Sequence, residues 1–391
     1  MIKLPALSSL LQVALVYNQK KEGSTDQSSA EGSNDPPSSR FQETQNVSSQ
    51  STSPSPPSIP NDRYAEWDTF ETVDAIRNAL AEIHEVHLVE ADLNAYDRLR
   101  ELMPDIVFNV AEGFHGVSRE AQIPGMLEML RIPYTGSDPL TLSVCLDKSR
   151  AKEVLAYHHI DTPKFSLVST DSELEHAAVP FPCIVKPLHE GSSKGIFDSS
   201  VVRTWAELHR AVMMVLERYA EPALVEEYLP GREFTVAMIG NGTDLTVLPI
   251  VEIRFDSLPE GVNPIYSYEA KWIWDRSDAP LDIFECPAMI SPQLREEIES
   301  VCCRAYNVLR CRDWCRIDVR LDSKGIPYII ELNPLPGILP RPEDNSCFPK
   351  AARAVGMSYN ELIQTVLAVA AKRYGMGEFA PSFVEQLRET A

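Results

Sequence analysis

The stretch Trp314–Gly337, WCRIDVRLDSKGIPYIIELNPLPG, constrains this chain more than any other. Cys315, Ile317, Val319 and Leu321 alternate with Arg316, Asp318, Arg320 and Asp322, the period of a strand with one apolar and one charged face. Tyr328–Leu332 reads as a second strand behind a Ser-Lys-Gly turn. A two-residue loop at Lys324-Gly325 sets Asp318 opposite Glu331 and Arg316 opposite Asn333. A register shift of two leaves all four on one face. Directly opposed carboxylates repel. A divalent cation removes that penalty, and Asp, Glu and Asn oxygens suit Mg2+ completed by phosphate oxygens. The pattern alone also fits a solvated hairpin face.

Three further segments carry chemistry. In FPCIVKPLHEGSSKGIFDSS an apolar strand ends in Lys186 and a small polar loop follows, with Gly191, Ser192, Ser193 and Gly195. Backbone N–H groups in such a loop can wrap phosphate oxygens while the lysine supplies charge. Lys precedes the glycines, so this is not a P-loop, and an ordinary strand–turn–strand fits as well. In ALVEEYLPGREFTV, Glu226 and Glu233 stand at the ends of two strands joined by a Pro-Gly turn. There they can accept hydrogen bonds from a ribose or an adenine amino group, or simply lie at the surface. In LDKSRAKEVL, Lys148 opens a helix.

A chain of 391 residues implies two or three domains. With 57 acidic against 36 basic residues the net charge is −21, which repels nucleic acid. No apolar run is long enough to span a membrane. The eight cysteines form no CxxC pair and no zinc pattern, and read as buried reduced thiols of a cytoplasmic protein. Ser8, Ser9 and Gln12 interrupt the apolar N-terminus, so Leu11–Tyr17 is expected to be a buried strand rather than part of a secretory signal.

Residues 20–61 are rich in Ser, Pro, Gln, Asn and Thr and are expected to be a disordered insertion. Beyond it Phe70, Val73, Ile76 and Leu80 recur at helical spacing. Alternating strands and helices then predict a parallel α/β sheet. From Phe181 strands dominate, with few helices, predicting an α+β region with an antiparallel sheet. TVLPIVEI reads as one of its strands.

The four segments, in this order, together with REAQIPGMLEMLRIPYTGSDPLTLSVCLDKSRAK, resemble the D-alanine–D-alanine ligases and the wider ATP-grasp superfamily. The likeness runs from Ile106 to about Val366. It implies α/β plus α+β: a Rossmann-like N-terminal domain (1–19 and 62–140), a central ATP-grasp part (141–230) and a C-terminal part (231–391). By resemblance, Lys148, Lys186 and Lys271 contact ATP phosphates. Glu226, Tyr228 and Glu233 hold the nucleotide. Asp318, Glu331 and Asn333 bind Mg2+ (or Mn2+), two ions in all. Arg316 and the backbone at Gly337 stabilise the tetrahedral transition state, and Ser192 and Ser346 close over small amino-acid substrates. The stretch 265–276 is the closing loop. The family commonly forms dimers. The implied reaction is ATP-dependent peptide-bond formation through an acyl phosphate, as in peptidoglycan precursor synthesis.

The chain departs from the family at the amino-acid pocket. The Gly-rich opening after the first strand is replaced by the insertion. Ala65-Glu66 beyond it resembles the family's Ala-Glu pair, which points Glu66 at the first substrate's amino group. Trp272 stands where the family often has tyrosine, and an indole only donates. Glu112-Gly113 stands roughly where the family has His-Gly. About four extra residues separate Gly337 from Ser346. A ligase joining an amino acid to another carboxylate, of the mycosporine type, is the alternative. A non-catalytic ATP-binding protein fits poorly with so complete a reactive set.

Overall fold

The computed structural model describes residues 10–20, 66–275, 281 and 283–376. All but Lys20 of the Ser/Pro-rich insertion, together with Ala65, lies outside them.

The N-terminal part is a parallel sheet in the order β2-β1-β3, with β1 Gln12–Tyr17, β2 Glu85–Glu90 and β3 Ile106–Asn109. Helix α1 (Phe70–Ala81) starts where the Thr69 hydroxyl accepts from the Thr72 N–H, and it buries Val73, Ile76 and Leu80. Phe70, expected on that face, is exposed at the helix start. Helices α2 (Ala95–Leu102) and α3 (Gln122–Leu130) complete this part.

Helices α4 (Pro139–Leu146) and α5 (Lys148–Tyr157) follow. They were expected to open the central part. Cys145 of α4 and Ala151 and Leu155 of α5 pack instead with Cys315 and Ile317, behind the C-terminal sheet.

The central sheet is antiparallel in the order β4-β7-β5-β6, with β4 Phe165–Val168, β5 Cys183–Pro187, β6 Val201–Val202 and β7 Ala223–Glu227. Besides the short α6 (Asp171–Leu174) it carries α7, Trp205–Tyr219, a fifteen-residue helix that the strand-dominated reading passed over. The signal was present: Thr204 caps the Glu207 N–H, and Leu208, Ala211, Val212 and Val215 fall on one face. This part has its own core, running from Val168 to Val225.

The C-terminal sheet runs β11-β10-β8-β12-β13 with β9 on β8, all antiparallel. The strands are β8 Glu233–Ile239, β9 Thr246–Val247, β10 Val251–Ile253, β11 Phe284–Glu285, β12 Trp314–Leu321 and β13 Pro327–Asn333. TVLPIVEI is thus two strands, not one. Pro249 lies between them and has no N–H for a ladder. Helices α8 (Pro292–Val308), α9 (Cys347–Ala354) and α10 (Tyr359–Arg373) pack behind. A single core joins Val13 and Ile76 of the N-terminal part to Ile239 and Val366 of the C-terminal part.

The β12–β13 pairing is as expected, but not for the expected reason. Arg316 faces Asn333 and Asp318 faces Glu331. The turn, however, has three residues: Asp322 N–H donates to the Ile326 carbonyl, leaving Ser323-Lys324-Gly325 as the loop, with Gly325 at φ 83°. A β-bulge beside Asp318 inserts Ile330 and restores the register.

Candidate active site

The charged face of β12–β13 centres on Asp318. Arg316 donates from Nε to Asp318 Oδ1 (3.0 Å) and from Nη2 to Oδ2 (2.9 Å). Asn333 Nδ2 lies 3.2 Å from Asp318 Oδ2, and the same amide turned over presents its oxygen. Burial, with the Glu331 charge opposite, pushes the Asp318 carboxyl up despite Arg316. Burial also acts on Glu331, but Lys148, Lys186 and Arg316 outweigh it and hold that carboxyl low. An opposed, partly buried pair of oxygen ligands with one raised carboxyl fits a divalent cation, which would relieve both desolvation and repulsion.

Lys148 begins α5 because the Asp147 carboxylate caps the Ser149 and Arg150 N–H groups. Its Nζ donates to the Glu190 carbonyl (2.6 Å) and lies 3.9 Å from Glu331. Lys186, near the end of β5, lies 2.7 Å from Glu226 Oε2, and Lys152 lies 2.8 Å from Oε1. The Glu226 carboxylate, 1% exposed, is held by two lysines at the wall of the larger cavity. Glu233 pairs with Arg320, whose Nη2 also donates to the Tyr228 hydroxyl (3.2 Å).

Glu66 reaches the site with its charge already countered. Arg119 Nη2 lies 2.9 and 3.1 Å from its two oxygens, and also contacts Glu190 and the His189 carbonyl. The Gly191 N–H donates to Glu66 Oε1 at 2.6 Å, and a Cβ on Gly191 would collide with that oxygen. Lys194 bridges Glu190 (2.6 Å) and Glu66 (3.6 Å). Burial works against the Glu66 carboxylate, but Arg119 and Lys194 keep it low. Arg119 and Lys194 escaped the sequence reading, as did Lys152.

The stretch 265–275 folds over the Ser192 loop. Trp272 Nε1 donates to the Ser192 carbonyl (3.0 Å), Ser193 Oγ to the Tyr266 carbonyl (2.8 Å), and the Tyr268 N–H to the Ile196 carbonyl (2.7 Å). Ser192 and Ser193 take left-handed φ of 51° and 60°. Lys271 is brought to about 8 by burial and the Arg316 charge. Ser346 is spent on its own loop, accepting from the Leu339 N–H and donating to the Gly337 carbonyl.

Two cavities share Glu66, Ser192, Lys271, Arg316, Glu331 and Gly337 as walls. The larger, about 440 Å³, runs along Lys186, Glu226, Tyr228 and Glu233 and past Trp272 to Ser346. The smaller, about 110 Å³, is closed by Glu112, Glu120, Lys148 and Asn333. Glu112 and Glu120 make no ion pair among the described residues, and burial, with neighbouring carboxylates, raises Glu120 to about 7 although Arg119 opposes it. All the expected site residues thus meet at one seam.

The family described as D-ala D-ala ligase C-terminus matches residues 153–368. The chain is 35% identical over 288 residues to the D-alanine–D-alanine ligase of Bordetella avium, covering 73% of this chain and 84% of that one. It is 36% identical over 317 residues to an uncharacterized protein of Sinorhizobium fredii, y4sG, covering 79% and 90%. The fold is shared with D-alanine–D-alanine ligase from Bacillus anthracis, solved in complex with ATP, at a TM-score of 0.62 and 21% identity over 94% of this chain and 100% of that one. On the strength of its sequence and its ATP-grasp fold, this chain belongs to the D-alanine–D-alanine ligase family of ATP-dependent ligases.

Proposed function

We propose that the chain joins two small amino acids, D-alanine foremost, by a peptide bond, with ATP cleaved to ADP and phosphate. The observation that carries this is the small cavity. Arg316, Lys148, Lys271 and Glu331 converge there on a small space of about 110 Å³ that adjoins the larger cavity. That suits a compact carboxylate beside a larger nucleotide space.

Lys148, Lys186 and Lys271 counter phosphate charge as the first carboxylate attacks the γ-phosphorus and an acyl phosphate forms. Asp318, Glu331 and Asn333 would hold Mg2+ or Mn2+, which shields the same charge when bound. Arg316 faces the acyl carbon and steadies the oxyanion as the second amine attacks. The 265–275 stretch, latched to the Ser192 loop by Trp272, keeps water from the mixed anhydride. Eight cysteines without a disulfide among them suit a reducing, cytoplasmic setting.

The Glu66–Arg119 pair favours a second reading. A carboxylate already countered attracts an α-ammonium weakly, so the first substrate need not be an amino acid. Phosphate release from ATP across D- and L-amino acids, singly and paired with small carboxylates, decides between them. Release with D-alanine alone supports the first reading. Release only when an amino acid is paired with another carboxylate supports the second, and no release with any pair refutes both.

A further inference from the structure

Two lysines share one buried carboxylate, yet only one of them lines either of the two cavities described. Lys152 lies one helical turn beyond Lys148 on α5, is 1% exposed, and lines neither cavity. Its ammonium is fully used: 2.8 Å from Glu226 Oε1, and donating to Thr162 Oγ1 and to the Ile330 carbonyl at 3.0 Å each. Lys186 takes the other Glu226 oxygen at 2.7 Å and lines the larger cavity.

We infer that Lys152 is a positioning residue, the permanent counterion of Glu226, and that it lets Lys186 leave that carboxylate for the phosphates of ATP. The inference rests on the reading of Lys186 as a phosphate contact.

A carboxylate this buried keeps its charge only with a cation beside it. With Lys152 in place the three groups carry one net positive charge, and the mobile share of it stands at the cavity wall. Without Lys152 the pair Lys186–Glu226 is neutral, and moving Lys186 to a phosphate would strand Glu226. The low Glu226 carboxyl, brought to about 2 by Lys152 and Lys186 against the effect of burial, agrees with this. Lys152 also grips Ile330, the bulge residue beside Glu331, so a purely structural role must be separated from the electrostatic one.

Calorimetric binding of a non-hydrolysable ATP analogue with Mg2+ separates them. K152M should bind at least tenfold more weakly than wild type. E226Q, which no longer tethers Lys186, should bind about threefold more tightly. The K152M/E226Q double variant should recover to within threefold of E226Q, a strong coupling between the two sites. A double variant as weak as K152M means that Lys152 only pins the bulge, and overturns the inference. So does wild-type binding by K152M. If K152M does not fold, E226Q still decides, because binding no tighter than wild type overturns the inference. The underlying reading is tested apart: K186M that binds as wild type removes Lys186 from the phosphates, whatever the other variants do.

Discussion

Replacing Arg119 with Met tests how the Ser192 loop is held. Arg119 is nearly buried, and its Nη2 serves Glu66 at 2.9 and 3.1 Å, Glu190 at 3.3 Å and the His189 carbonyl at 3.0 Å. Removing it leaves two largely buried carboxylates with Lys194 as their remaining ion-pair partner among the described residues, 2.6 Å from Glu190 but 3.6 Å from Glu66, and the Gly191 N–H still on Glu66. Breaking a buried ion pair from one side costs roughly 3–5 kcal/mol. The surviving lysine offsets part of that, so about 3 kcal/mol is expected. Most of this is the stranded charge on Glu66, so R119M/E66Q should recover about half of it. The assay is urea denaturation followed by tryptophan fluorescence, because Trp67 packs edge-on against Phe114 near Glu66. Hydrogen exchange at the Gly191 amide, bonded to Glu66, gives a local readout, and its protection should fall in R119M. A loss under about 1 kcal/mol, or a double variant no more stable than R119M, would refute the reasoning.

Glu331→Gln should lower phosphate release roughly a hundredfold with little loss of folding, and unchanged turnover would remove Glu331 from the metal site. Trp272→Tyr replaces the indole that donates to Ser192, and should shift the ratio of efficiencies for D-alanine and a bulkier amino acid by about tenfold to a hundredfold while barely moving the ATP Michaelis constant. An unchanged ratio would point that side chain away from the amino-acid pocket. Lys271 ionises at about 8 because burial and Arg316 disfavour its charge. An approaching phosphate favours the charged form, so analogue affinity should be flat below pH 8 and fall above it. Lys271→Arg should abolish that fall, and an equal fall in both chains would assign it to another group.

The parts legible in the sequence were those with a period. The alternation from Cys315 to Asp322 placed Arg316, Asp318, Glu331 and Asn333 on one face, and the register survived a misjudged turn because a bulge at Ile330 offset it. Arg119, Lys152 and Lys194 left no such trace. Each is a lone charge, and its partner is set by tertiary folding: Lys152 bonds to Ile330, 178 positions away, and Arg119 to Glu66 across 53. Nothing local distinguishes them from solvated residues. Glu226 illustrates the converse: its strand end was readable, but which lysines would reach its carboxylate was not.

The self-contained core from Val168 to Val225 has a consequence for how the molecule melts. Chain enters that unit at Lys164 and leaves it at Glu227, and the Glu227 N–H donates to the Lys164 carbonyl at 2.9 Å, so the two ends meet. Its ties to the remainder near the Ser192 loop are mostly polar, with only a small apolar cluster of Ile184 and Val201 against Ile265, while the N- and C-terminal parts share a large apolar core. Cooperativity follows continuous apolar packing, so the empty chain should absorb heat in two separate transitions, the Lys164–Glu227 unit first. Under the proposed function, nucleotide would sit between this unit and the β12–β13 hairpin and contact both sides. At a hundred times its dissociation constant it adds about 2.7 kcal/mol to the folded form, comparable to several such polar ties. The two peaks should then merge toward one, turning a calorimeter trace into a report of whether the grip has closed.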